Sequence, residues 1–315
     1  MPANVQVTID DYVESIGFTT YAYLTRKITR RDLIKGSERS LGEFLEHFLR
    51  GKLAEFAFKK YLSTLRIEAL IDVDLPIWID GEYLPDILAT RIDTVWAHSR
   101  FWPEVKAVVP KQQWMLIPTT VILGGRTRRN QPRPYCAYVI CRVDLPPDHV
   151  MRLIRYWPKI SERISGEWVS ALKDLESVSV EILGYALFTD INSILREEPG
   201  DVASLDAAFG NGNWRLLKKR ESFMDPQLGE RYGGFNRDNC IVRLSNLRTD
   251  WNYLATCLRQ NRPLAPAAQR NLAVFDAQMD AALEALSSGI RPSWFTMSLA
   301  QNNDPQSSLG ETTHS

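Results

Sequence analysis

Four charged residues, Glu55, Asp86, Glu104 and Lys106, stand in stretches that are otherwise apolar. Their chemistry is that of charge: carboxylate oxygens that hold a cation or a proton, and an amine that steadies an anion. Positions three, four and seven apart share one face of a helix. Glu55 therefore falls in a row with Leu41, Phe44, Phe48, Gly51, Phe58 and Leu62. A carboxylate on a buried face needs a cation beside it or takes up a proton; a core arginine or a functional cation would each satisfy Glu55. Asp86 follows Pro85 and opens the apolar run ILA. Proline cannot donate to a ladder, so Asp86 is expected at a strand end. In FWPEVKAVV, residues 101–109, alternation puts Glu104 and Lys106 on one strand face and Val105 on the other. Singly, a turn aspartate and a cross-strand ion pair explain these residues. Their combination, in this order along the chain, points to a site.

That combination resembles the PD-(D/E)xK nuclease superfamily, the restriction-endonuclease-like fold. The matching residues are Glu55 within GKLAEFAF, Pro85-Asp86, and Glu104-Val105-Lys106. Seventeen residues separate Asp86 from Glu104, which suits a strand, a turn and a return strand. The resemblance spans about residues 40–195 and implies Mg²⁺-dependent hydrolysis of DNA phosphodiester bonds, with Mn²⁺ as the alternative ion. Mg²⁺ is a hard cation that takes oxygen ligands and keeps several waters. Asp86 and Glu104 would supply carboxylate oxygens and Val105 its carbonyl. Glu55 would hold the ion through a water or bind a second one. Lys106 would orient the attacking water and stabilise charge on the phosphate, and Gln112 or Gln113 would help place substrate. Asp93 is an alternative to Asp86; ten residues lie between it and Glu104, which calls for a tight hairpin. Asp72 and Asp74 are further alternatives, expected on a solvated strand face. The resemblance also implies defence against foreign DNA, or recombination and repair, as the setting, and a homodimer, since cutting both strands takes two sites.

These residues need elements to hold them. A helix is expected over about 9–25 and another over 41–65, where Ser40 and Glu43 form a capping box. Residues 66–145 switch to short runs rich in Val, Ile, Tyr and Trp: IDVDLPIWI, YLPDILATRI, FWPEVKAVV, WMLIP and YCAYVICRV. A helix near 147–174 and a strand near 178–188 complete an α/β sheet packed by helices. The expected fold class is thus α/β: a restriction-endonuclease-like core with a mixed central sheet flanked by helices, and a mainly helical C-terminal region. The expected divisions are 1–40, a helical and basic segment; 41–195, the nuclease-like core; 196–300, an accessory region; and 301–315, a polar disordered tail.

Lys plus Arg and Asp plus Glu number 38 each, so a uniformly basic nucleic-acid protein is excluded and any DNA contact must be local. Local basic runs exist. RKITRRDLIK and WRLLKKR are two; the third, GGRTRRNQPR, carries Arg126, Arg128, Arg129 and Arg133 without an acid and is the expected DNA-backbone contact. The four cysteines, at 136, 141, 240 and 257, form no CxxC pair and argue against a zinc ribbon or a disulfide scaffold. There is no GxGxxG, P-loop lysine or GxSxG elbow. The opening residues lack an apolar signal region and no apolar stretch could span a bilayer, so a cytoplasmic protein is expected. The rival reading is a nuclease-like module that has lost catalysis and binds nucleic acid or a protein partner.

Overall fold

The computed structural model describes residues 2–25, 39–80, 84–119, 136–145, 149, 178–190, 215–217, 222–225, 230–233, 238–262, 272–292 and 294. At its centre is a mixed sheet in the order β1 (Ala3–Val7), β8 (Val178–Leu187), β7 (Ala137–Val143), β5 (Pro103–Val108). β1 and β7 run antiparallel to β8, whereas β5 runs parallel to β7 and forms the sheet's edge.

Both faces of this sheet are buried, which is why YVICRV reads as a nearly continuous apolar run rather than an alternating one. Ala137, Val139, Cys141 and Val143 of β7 enter one core; Tyr138 and Ile140 enter the other. β8 changes parity partway. Val178, Val180 and Ile182 face the first core, then Tyr185 and Leu187 do, because a register shift opposite Ile140/Cys141 inserts one residue. Just beyond the shift, Gly184 lets another segment come close: a Cβ there would lie 2.6 Å from Leu247 Cβ and 2.8 Å from the Arg248 carbonyl. Tyr185 and Arg248 exchange backbone hydrogen bonds of 2.9 and 2.8 Å at that point.

The first core is roofed by α1 (Ile9–Leu24) and α2 (Leu41–Thr64), joined by α3 (Trp251–Gln260). The Ser40–Glu43 capping box is present: the Ser40 hydroxyl accepts from the Glu43 N–H at 3.3 Å, and the Glu43 carboxylate accepts from the Ser40 N–H at 3.0 Å. Phe44, Leu49, Leu53, Phe56, Phe58 and Leu62 of α2 are buried, each side chain contributing about 1.5–3 kcal/mol of transfer free energy. The second core, on the opposite face, receives Phe275, Met279 and Ala282 of α4 (Leu272–Ser287).

Smaller sheets flank the central one. β2 (Glu68–Leu70), β3 (Ala89–Ile92) and β4 (Val95–His98) form an antiparallel meander; β12 (Asn239–Arg243) pairs with both β6 (Trp114–Pro118) and β9 (Arg215–Leu217). β10 (Ser222–Asp225) and β11 (Glu230–Gly233) form a hairpin. The described residues beyond 196 thus combine α3 and α4 with short strands, and β12 ties them to β6 of the preceding zone. The expected helix near 147–174, apart from His149, the basic runs at 26–35 and 124–134, and the tail at 301–315 lie outside the described residues. Among those described, no helix is long and apolar enough to cross a membrane, and all four cysteines are buried.

Candidate active site

Asp86 is not on a strand. β3 begins at Ala89, and Asp86, in a bend just before it, meets the open edge of β5. There the Asp86 N–H donates to the Pro103 carbonyl at 3.3 Å, and Asp86 Oδ2 accepts from the Val105 N–H at 2.5 Å. The spacing predicts a strand and its return strand side by side, but β3 pairs with β2 and β4 instead. The side chain of Asp86 is nonetheless bonded directly onto the Glu104-Val105-Lys106 strand. In an extended strand the N–H and C=O of one residue point to the same side. With its N–H on Asp86, the Val105 carbonyl also faces this open edge.

Glu104 and Lys106 share the β5 face that carries Trp102 and Val108, whereas Val105 enters the first core. The Lys106 ammonium is ion-paired with Glu104 Oε1, and the two side chains are 34% and 12% exposed, so the pair is reachable from solvent at the lysine end. Burial alone would lower the pKa of Lys106, but Glu104 and Asp86 outweigh it and raise it, fixing the group as an ammonium. Asp86 moves the other way for a carboxyl: burial first, then the neighbouring Glu104 charge, push it up to about 7, against the pull of Lys52 and Lys106.

Glu55 is buried, as its place on α2 requires, and its partner is Lys52, one turn earlier, at 2.8 Å. Lys52 is the residue that the sequence pattern missed. Its ammonium also donates to Asp72 Oδ2 at 2.7 Å and lies 5.0 Å from the centroid of the Phe18 ring. The signal was present, an i,i+3 acid–lysine pair on an otherwise apolar helix face, but its second anchor comes from tertiary structure. Asp72 and Asp74 lie on a 3₁₀ turn (Asp72–Asp74) and not on a strand. Asp74 is held by Lys59 at 2.5 Å and by the Ile71 N–H at 2.9 Å. Asp93 is exposed, with φ of 59°, and makes the β3–β4 turn, away from β5. The Gln112 side chain donates to the Trp114 carbonyl at 2.7 Å, and the Gln113 carbonyl accepts from the Leu244 N–H at 2.9 Å.

Glu55, Asp72, Asp86 and Glu104 thus share one electrostatic neighbourhood with Lys52 and Lys106. Four carboxylates against two ammoniums leave two negative charges in excess when all are ionised. Burial raises the pKa of Glu55 well above the usual carboxylate range; Lys52 opposes this, and Asp86 and Asp72 reinforce it. Asp72 Oδ1 is buried and makes no hydrogen bond to a described residue. Among the described residues no three His, Cys, Asp or Glu side chains converge into a cage for a metal ion. Comparison with protein-family models, curated proteins and solved structures finds no match. What the chain does must be argued from this neighbourhood itself.

Proposed function

We propose that the chain is a Mg²⁺-dependent endonuclease that hydrolyses DNA phosphodiester bonds, built on a restriction-endonuclease-like core. The observation that carries this reading is the clamp of Asp86 onto the Glu104-Val105-Lys106 edge strand, which brings two carboxylates and an ammonium into one neighbourhood at the edge of the sheet. Mg²⁺ uses one or two carboxylates and retains waters, so the lack of a three-ligand cage among the described residues is compatible with it. The donor set fits: Asp86, Glu104 and the Val105 carbonyl would hold the ion, and the excess of negative charge favours it. Bound there, Mg²⁺ or Mn²⁺ would supply Lewis-acid activation of the phosphate and of water.

The chain's own residues do the rest. Lys106, kept protonated by Glu104 and Asp86, is an electrostatic stabiliser and a hydrogen-bond donor to water and phosphate, not the base that takes the water's proton. Asp86, with a pKa near 7, exchanges a proton for the cation, so cation affinity rises with pH through neutrality. Arg126, Arg128, Arg129 and Arg133 would grip the DNA backbone, and a homodimer would cut both strands. Defence against foreign DNA, or recombination and repair, in the cytoplasm is the setting this chemistry suits.

The closed Glu104–Lys106 pair favours one rival, a module that has kept the fold and binds nucleic acid or a protein without cutting. Incubation of the purified chain with supercoiled plasmid and Mg²⁺ separates the two. Nicking or linearisation by the wild type and none by Lys106→Ala supports the enzyme. Salt-sensitive DNA binding with the plasmid left intact at all Mg²⁺ and Mn²⁺ concentrations supports the module.

A further inference from the structure

We infer that Lys52 fills the place of a second divalent cation, making this a single-ion site in which Glu55 is the counter-ion of a lysine and not a metal ligand. The inference rests on the functional reading above and refines its ion count. The ammonium of Lys52 lies within hydrogen-bond distance of two carboxylates from different elements, Glu55 Oε2 on α2 at 2.8 Å and Asp72 Oδ2 on the 3₁₀ turn at 2.7 Å. Its side chain is 8% exposed. Its field also reaches Asp86, whose carboxyl is bonded to the catalytic strand. Two carboxylate oxygens from separate elements with a third carboxylate nearby form a donor set of the kind hard divalent cations take, and phosphodiester hydrolysis can use a second such ion. Here a covalently tethered charge occupies the donor set.

The tether has consequences. An ammonium carries one charge where a metal ion carries two, so the neighbourhood keeps negative charge for the ion at Asp86 and Glu104. It also pins α2 to the 3₁₀ turn that follows β2. Lys52 is therefore a positioning residue: it acts through Glu55, Asp72 and Asp86 and not on the phosphate.

Mn²⁺ counting by electron paramagnetic resonance tests this without reference to cleavage. Lys52→Ala vacates the cation position, and Lys52→Arg keeps the charge. The expected result is one more bound Mn²⁺ per chain in Lys52→Ala than in the wild type, and no increase in Lys52→Arg. Equal counts in Lys52→Ala and wild type overturn the inference, as does a wild-type count of two. A wild-type count of zero with one in Lys52→Ala sustains the Lys52 assignment while removing the metal-dependent reading of Asp86 and Glu104. Lys52→Met keeps the stem against Phe18 and covers the case in which Lys52→Ala fails to fold; Mn²⁺ should then raise its melting temperature more than that of the wild type. Failure of both variants to fold in millimolar Mn²⁺ also overturns it.

Discussion

Replacing Asp86 with Asn should make the metal-free protein more stable while removing cation binding, a combination that a merely structural aspartate would not produce. The carboxyl of Asp86 sits near 7 in the folded chain against an ordinary 3.8. A carboxyl whose pKa is raised on folding binds its proton more tightly in the folded state. Stability drawn from that proton is present in full below pH 4 and is lost as pH climbs through 7. Burial and the facing Glu104 charge are the causes. The gap corresponds to roughly 4 kcal/mol above pH 7, at about 1.4 kcal/mol per tenfold change in proton affinity. Asn keeps the essential contact, because its amide oxygen can accept the Val105 N–H bond that Oδ2 now accepts. That net shift already contains the pull of Lys52 and Lys106; the buried Asn amide N–H₂, facing groups that met a carboxylate oxygen, offsets part of the gain and leaves about 1–3 kcal/mol. Urea unfolding in EDTA at pH 4 and pH 8.5 measures it. The variant should match the wild type at pH 4 and exceed it at pH 8.5. A variant less stable at pH 8.5, or a difference that ignores pH, would refute the electrostatic account of the site.

Three further outcomes follow from the same geometry. Glu55→Leu leaves the buried Lys52 with Asp72 as its remaining hydrogen-bonded carboxylate and should lower stability by about 2–4 kcal/mol in chemical denaturation; a neutral effect would mean that the pair contributes nothing net. Gly184→Ala places a methyl group against Leu247 and the Arg248 carbonyl and should cost about 1–3 kcal/mol in thermal unfolding, with reduced hydrogen-exchange protection at Tyr185. Alanine at Arg126, Arg128, Arg129 and Arg133 together should weaken DNA binding and flatten its dependence on salt, by roughly one in log–log slope for each phosphate no longer gripped. An unchanged slope in fluorescence anisotropy would move the DNA interface elsewhere.

Local elements were legible because local rules decide them. Ser40 and Glu43 announce the start of α2, and the helix begins at Leu41. The burial of Glu55 follows from its spacing of three, four and seven residues from apolar positions, even though Leu41, at the start of that row, is exposed. Strand order was not legible: β5 and β7 lie next to each other in parallel although about thirty residues separate them, and no local pattern specifies that pairing. Asp86 shows the limit best. Proline and the apolar run beyond it suggested a strand end, whereas Asp86 and Ile87 form a bend ahead of β3, and nothing local says which edge such a segment will join. Lys52 was hidden for the same reason, since a lysine on a helix reads as solvated until Asp72, twenty residues on, folds against it. Ala3–Val7 lies in a segment expected to be helical and basic, yet forms a strand, which no local pattern announced because its partner β8 is far away in sequence.

The central claim is that Asp86 and Glu104 hold one divalent cation beside Lys106. The most direct test is the melting temperature of the chain with and without millimolar Mg²⁺, in the wild type and in Asp86→Ala, at pH 8. The account predicts a Mg²⁺-linked rise in the wild type that disappears in the variant. A wild type indifferent to Mg²⁺ and Mn²⁺, or a rise that survives in Asp86→Ala, would contradict it.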